Sequence, residues 1–405
     1  MAPERKPVLI IGAGVVGLTL ANGLQQIGVP FRVFERDAHV NARGQGWAIT
    51  LHWALPFLHE LVSPSTFAAI ESAQVDPDAD RQGLGNFVFI NLATLEPKFI
   101  IPPGDRRRVN REKMRLALLS EVEQHVSWSK RLSSVQETSD GVEAVFEDGT
   151  EVEGCLLVGA EGSNSRTRKI LAPETYKNIP LPVRCIGAAL DLSPEQVKPL
   201  KDIDPLLFQG CHPATNVFFW FSMLETPLIN GTAGTGKEHY RVQIIMSWPI
   251  EELPEGKTNP TDTNRLAEMR TRAQEFHPVL RKVVDMIPEN TDITEIMLQD
   301  WPCLPWNNHR GKMTLAGDAA HAMTMYRGEA ANHGIVDAHR LYKAIGNYWS
   351  GTVTMKQAID EYETELRERT RAAVLLSRQA CLDAHDFAGL NENSAVLKKR
   401  AIAGM

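Results

Sequence analysis

Gly12, Gly14 and Gly17 stand in the spacing G-x-G-x-x-G, and Glu35 follows 23 residues after the first of them. Those types at that spacing suit phosphate chemistry. The first glycine permits a tight turn, the second lets a pyrophosphate approach the backbone, and the third lets a helix pack close to a strand. Val15 and Val16 fall in the opening turn of that helix, where N–H groups are free and the dipole favours an anion. A carboxylate at position 35 can accept both hydroxyls of an adenosine ribose, and Arg36 beside it is counted with the same site. A glycine-rich turn without a ligand is the competing reading. It does not explain the strand before, the helix after and the acid at the end of the next strand. These residues alone leave NAD and FAD both open.

Two further turns have the same look. "LAGDAAHAMTMYRGEAANHGIVDA" (315–338) leads from a buried strand through Gly317, Asp318, Gly328, Ala330 and Ala331 to an apolar-periodic run opened by Asn332. "CLLVGAEGSNSRTRKIL" (155–171) carries Gly159, Glu161, Gly162, Ser163, Arg166 and Arg168. The plain alternative for this second stretch is a connection with Ser163 as helix N-cap. Three glycine-rich turns at strand ends suggest one extended ligand, and FAD has the length. The first turn would hold its adenosine diphosphate and residues 315–338 its riboflavin end. Asp318 could accept from ribityl hydroxyls, and a helix starting near Asn332 would aim free N–H groups at the negative charge of a reduced flavin. Arg111, at a helix start, could bind the pyrophosphate. Arg106–Arg108 read as a solvated basic patch.

The elements that must position these groups follow from periodicity. Val8–Ile11 is a continuous apolar run, as a buried parallel strand requires. "RGQGWAITLH" (43–52) reads as a loop leading into a strand or helix, and residues 106–124 as a helix with its arginines at the start. Residues 141–154 alternate around Asp148-Gly149, a hairpin signal. Residues 216–224 and 240–250 are β-branched and aromatic strands joined by the flexible loop 230–239. On the first, Asn216, Phe218, Trp220 and Ser222 share one face and Val217, Phe219, Phe221 and Met223 the other. One face packs on a core and the other could line a pocket; periodicity does not say which. From residue 355 a long helical pattern is expected to pack on the nucleotide domain. The fold expected is α/β: a Rossmann-like, glutathione-reductase-like FAD-binding domain of residues 1–75, 101–175 and 296–354. Inserted in it is a mostly antiparallel sheet domain for substrate, residues 76–100 and 176–295, and residues 355–405 form C-terminal helices.

Bulk properties exclude other classes. The chain has 405 residues and a net charge of −7, which argues against nucleic acid or an anionic membrane as main partner. Cys155, Cys185, Cys211, Cys303 and Cys381 are scattered without C-x-x-C, so neither a disulfide framework nor a metal site is indicated, and a cytoplasmic setting fits. The basic and apolar opening could pass for a secretory signal, but the glycine spacing explains it better. No segment approaches the length of a membrane span, and "KKRAIAGM" at the C-terminus matches no targeting signal.

These motifs resemble the single-component FAD-dependent aromatic hydroxylases, the family of p-hydroxybenzoate and salicylate hydroxylases, and especially its fungal secondary-metabolism relatives. The glycines with Glu35 are similar to the family's ADP-binding motif, "GAEGSNSRTR" to its D-G motif, "GDAAHAMTMYRGEAANHGIVDA" to its G-D motif, and Arg111 to its FAD-binding arginine. The resemblance implies FAD as cofactor, NADPH or NADH as co-substrate, and dioxygen. It implies a flavin C4a-hydroperoxide that hydroxylates or epoxidises an electron-rich aromatic small molecule, in a monomer or homodimer. Three departures stand out: Glu161 for the usual Asp, Met325 for a Pro that lines the reaction site, and Ala330 for a Gly. Arg184, His212, His239 and Tyr240 could orient or deprotonate a phenol, but each reads first as surface or structural. His321 reads as packing near the cofactor, so no catalytic base is assigned. A reductase or redox-neutral cyclase of the same fold, a nicotinamide dehydrogenase and a non-enzymatic binding protein remain the alternatives.

Overall fold

The computed structural model describes residues 5–42, 47–102, 104–250 and 264–398. The glycine-rich part of 43–52 and nearly all of the C-terminal "KKRAIAGM" lie outside the described residues. The apolar run Val8–Ile11 is the central strand of a five-stranded parallel sheet. In spatial order the strands are Met313–Leu315, Leu156–Gly159, Val8–Ile11, Phe31–Phe34 and Val126–Ser127. Parallel strands need both faces covered. Here the helix Val15–Gln26 packs beside the helix Ala330–Trp349, and the strands' apolar runs are almost wholly buried. The hairpin at Asp148-Gly149 forms as its alternation requires, with Gly149 at φ +80° in a three-stranded antiparallel meander.

A second sheet of seven strands is antiparallel throughout, except where Phe87–Asn91 runs parallel to Leu207–Cys211. Its own core gathers Phe208, Phe219, Phe221, Met223, Ile244 and Met246. The long helix Met355–Asp383 starts from a capping box at Thr354 and Gln357. Its first half packs on the parallel sheet through Ile359, Tyr362 and Leu366, while Ala380 and Cys381 pack with Phe89 and Phe218 of the seven-stranded sheet. It therefore spans both sheets rather than serving the nucleotide domain alone.

Residues 106–124 correct the expectation of one helix. Arg107–Asn110 is a strand paired with Ala48–Leu51, and the helix is confined to Arg111–Leu119. Asn110 is extended and its side-chain oxygen accepts from the N–H groups of Glu112 and Lys113, which fixes the start. The solvated patch also fails at Arg108, which is buried. The expected strand at 216–224 is Phe218–Glu225.

All five cysteines are free and buried. Among the described residues no helix is long and apolar enough to cross a membrane.

Candidate active site

The three glycine-rich turns follow three strands that are neighbours in the parallel sheet, so they meet at its C-terminal edge, where open α/β sheets bind ligands. Gly12 has φ +113°, and a Cβ there would stand 2.5 Å from the carbonyl oxygen of Ala160 in the second turn. Gly17 is just as tightly held: its Cβ would lie 2.1 Å from the carbonyl oxygen of Gly12. Gly14 is the opposite case, with nothing within 4 Å of an added Cβ. The helix it opens has no side-chain cap. Glu35 is buried and accepts from the backbone N–H groups of Ala13 (2.8 Å) and Asp37 (3.0 Å), while Arg115 Nε donates to the carbonyl of Ala13 (2.8 Å).

In the second turn the cap is Ser165, not Ser163, and Glu161 assists it. Its carboxylate accepts from Ser165 Oγ (2.5 Å) and from the N–H groups of Arg166 and Thr167 (3.1 Å each). Burial pushes this carboxyl up, against those hydrogen bonds. The departure from Asp to Glu thus supplies a reach that caps the helix Arg166–Leu171. Arg168, two residues further, donates to the carbonyls of Asp318 and Ala319 (3.2 Å each), Tyr176 (3.0 Å) and Ser163, and to Asn178 Oδ1 (2.7 Å). It ties the second turn to the third.

The third turn bends at Gly317, φ +62°, where a Cβ would meet Val16 at 2.9 Å. Asp337 accepts its N–H. Asp318 comes next; its carboxylate accepts no hydrogen bond from any described residue and faces the cleft. Burial pushes its pKa up, and the nearby charges of His321, Arg111 and Arg168 oppose the rise. The helix Ala330–Trp349 begins at Ala330, two residues before the expected Asn332, again with no side-chain cap.

One cleft collects these groups. Gly12, Gly14, Val15, Val16, Glu35, Arg36, Arg111, Asp318, Ala330 and Ala331 line it. Gly17, Gly317, Gly328 and Asn332 do not. Gly17 and Gly317 serve close packing one layer back. Asn332 clamps the strand Ala48–Leu51 by accepting from His52 N–H (3.0 Å) and donating to Thr50 O (2.9 Å). Gly328, in the left-handed region, borders a different cavity. Sequence reasoning missed Ile49, Lys130, Arg131 and Asn164, which also line the cleft, as does Arg166. The pair Lys130-Arg131 follows the end of the parallel strand Val126–Ser127, but two residues are too short a strand to give a pattern. The donor set fits a dinucleotide: space at Gly14 beside an uncapped helix start, several cations, and at the far end a carboxylate that accepts no hydrogen bond from the described residues.

Beyond the strand Ala48–Leu51 lies a second cavity of about 770 Å³, within the usual range for small-molecule sites. Ile49 faces the cleft and its neighbour Thr50 faces this cavity, as alternation along a strand requires. Trp53, Phe87, Trp220 and Tyr326 supply aromatic wall, with His52, Asp105 and Arg106 among the polar groups. Met325 does not line it; its side chain packs with the cluster around Phe218 and Ala380, and only its successors Tyr326–Gly328 reach the cavity. Arg184, His212, His239 and Tyr240 are also absent from the wall. Arg184 pairs with Glu268 and Glu295, and the His212 ring accepts from the N–H groups of Ala214 and Thr215.

Residues 111–377 match the family model described as FAD binding domain. The FAD-dependent monooxygenase dbaB of Emericella nidulans is 45% identical over 349 residues, covering 85% of this chain and 88% of the relative. The FAD-dependent monooxygenase cctM of Talaromyces islandicus is 32% identical, covering 97% of each chain. Among solved structures, Klebsiella pneumoniae HpxO complexed with FAD and uric acid has a similar fold, with a TM-score of 0.72 at 19% identity over 95% of this chain and 90% of that one.

Proposed function

Because the chain belongs to the FAD binding domain family, as an FAD-dependent monooxygenase, we propose that it takes NADPH or NADH and dioxygen and hydroxylates or epoxidises an electron-rich aromatic small molecule. The observation that carries this reading is the pair of spaces divided by one strand. The cleft of the three turns and the aromatic cavity meet across Ile49 and Thr50.

In this reading Gly12, Gly14, Val15, Val16 and Arg111 hold the pyrophosphate, Glu35 and Arg36 the adenosine end, and Asp318 the ribityl chain. Gly17, Gly317 and Asn332 shape the turns that do so. Ala330 and Ala331 present the N-terminus of their helix to the flavin ring, and Gly328 turns the chain between the two spaces. Bound FAD, once reduced, supplies the electrons that activate dioxygen. The chain's own groups orient the aromatic ring and keep water from it. The seven-stranded sheet contributes Phe87, Leu207 and Trp220 to the cavity wall, and we assign substrate choice to residues 76–100 and 176–295 on that ground. The size of the cavity favours a substrate larger than a simple benzoate, such as a polycyclic or prenylated natural-product intermediate.

Turnover of candidate aromatics under labelled dioxygen tests this. Label in the product is expected. A product formed equally well without oxygen would favour a redox-neutral reaction of the same flavoprotein fold and overturn the proposal.

A further inference from the structure

Arg108 is a buried cation; among the described residues no carboxylate lies within ion-pair distance of it, and Asp204 acts on it only from farther off. Its Nη1 donates to Thr50 Oγ1 (2.8 Å), its Nη2 to Ser222 Oγ (2.6 Å), its plane lies 5.8 Å from the Trp220 ring, and its Nε has no partner. Burial, with the charge of Arg106 adding to it and that of Asp204 opposing, pulls its pKa down to about 9, so it stays protonated at neutral pH. Burying a charge with no carboxylate beside it is costly, and the two hydroxyls that accept from it offset part of that cost.

The two hydroxyls that receive Arg108 differ. Ser222 passes its own proton to the carbonyl of Met223 (3.1 Å) and is satisfied. Thr50 is not: its oxygen accepts from Arg108, its hydrogen has no acceptor among the described residues, and its side chain lines the aromatic cavity. A hydroxyl that accepts from a guanidinium while its own hydrogen has no acceptor is a charge-assisted donor available at the cavity wall. The other charged side chains there have partners: Asp105 pairs with Arg107, Arg327 with Glu329, and Arg106 donates to the carbonyl of Gly85.

We propose that Thr50 is the substrate-contacting donor of the cavity, held and polarised by Arg108 as its positioning residue, and that the pair selects aromatic substrates bearing an acidic ring hydroxyl. This rests on the aromatic-substrate reading above. A single donor fits one phenolic oxygen, whereas a carboxylate calls for two. A ring oxygen also makes the ring electron-rich, while a carboxylate withdraws electrons.

The test uses the purified holoenzyme and a matched pair of probes, 2-naphthol and naphthalene, with binding measured by equilibrium dialysis. Wild type is expected to bind the naphthol more tightly than naphthalene. Thr50→Val should lose about ten- to hundred-fold in naphthol affinity and leave naphthalene unchanged, while Thr50→Ser keeps the preference. Arg108→Met should reproduce the loss and Arg108→Lys recover part of it; the Thr50 variants decide the matter alone if the Arg108 variants do not fold. Equal binding of both probes by wild type, or an unchanged preference in Thr50→Val, overturns the proposal. Dialysis needs no flavin signal, so a colourless protein would count against the cofactor reading and not against this one.

Discussion

Asp337 Oδ2 accepts the backbone N–H of Gly317 at 2.7 Å, so a carboxylate inside the helix Ala330–Trp349 fixes the turn that presents Asp318. The same carboxylate meets His321 Nε2 (2.6 Å) and Arg369 (2.7 Å), with no exposed side-chain surface. Burial alone would raise its pKa; the His321 and Arg369 charges and hydrogen bonds outweigh that and hold it well below the carboxylate range. Asp337→Asn is expected to cost about 3–5 kcal/mol, because it removes the fully buried carboxylate shared by His321, Arg369 and the Gly317 N–H and leaves Arg369 with only the half-buried Glu365. Glu365→Gln, at the more exposed end of the network, should cost less than about 1 kcal/mol. A carboxyl with a depressed folded pKa stabilises above its unfolded value and loses that stabilisation as pH falls through the folded one. The gap between wild type and Asp337→Asn should therefore be full at neutral pH and narrow below about pH 4. Urea melts across pH check this; a cost under 1 kcal/mol at pH 7 would refute the clamp.

Gly14 and Gly17 separate cofactor binding from folding. An added Cβ at 14 meets nothing, while one at 17 meets the Gly12 carbonyl at 2.1 Å. Gly14→Val should melt within about 0.5 kcal/mol of the cofactor-free parent yet purify without yellow colour, since the side chain fills the path of the pyrophosphate. Gly17→Ala should be unstable with or without FAD. Full flavin occupancy in Gly14→Val contradicts the assignment of this turn.

Asp318 should make FAD affinity depend on pH. Its carboxyl is pushed up by burial, so it takes a proton at higher pH than an ordinary aspartate and then can no longer accept from two hydroxyls. Affinity is expected to weaken on acidification, beginning above the usual value of about 3.9. Asp318→Asn should bind about ten- to hundred-fold more weakly at neutral pH with a flatter profile. Flavin fluorescence quenching between pH 4.5 and 8 measures both; parallel profiles for the two proteins would falsify the role.

The glycine turns were legible because each is a local event: a strand, a spacing and a helix start within some twenty residues. Their convergence was legible only as a need for one long ligand. The clamps were not, since Arg168 reaches Asp318 across 150 residues and Arg369 reaches Asp337 from another helix. Arg108 misleads for a related reason. Counted locally it belongs to an arginine run, and only the pairing of Arg107–Asn110 with Ala48–Leu51 turns it inward. Met325 shows the converse: expected on the wall of a reaction site, it precedes the cavity-lining Tyr326–Gly328, but its side chain in the 3₁₀ turn packs with the cluster around Phe218 and Ala380.

Neighbouring residues on one strand should give opposite phenotypes. Phe219 is fully buried in the core of the seven-stranded sheet, while Trp220 turns to the other face and lines the cavity. Phe219→Ala removes a ring from a close-packed core and should cost about 3–5 kcal/mol, whatever substrate is offered. Trp220→Leu removes cavity wall instead. It should leave FAD content unchanged, because the ring lies across the strand Ala48–Leu51 from the cleft of the three turns. It should change which aromatic compounds stimulate NADPH or NADH oxidation, with bulkier ones gaining relative to wild type, and shift KM more than kcat if the wall sets fit rather than chemistry. Flavin content, melting temperature and the stimulation profile over one panel of compounds separate the two effects. If Trp220→Leu alters activity only in proportion to lost flavin or lost stability, the cavity beyond Thr50 is not where the substrate binds.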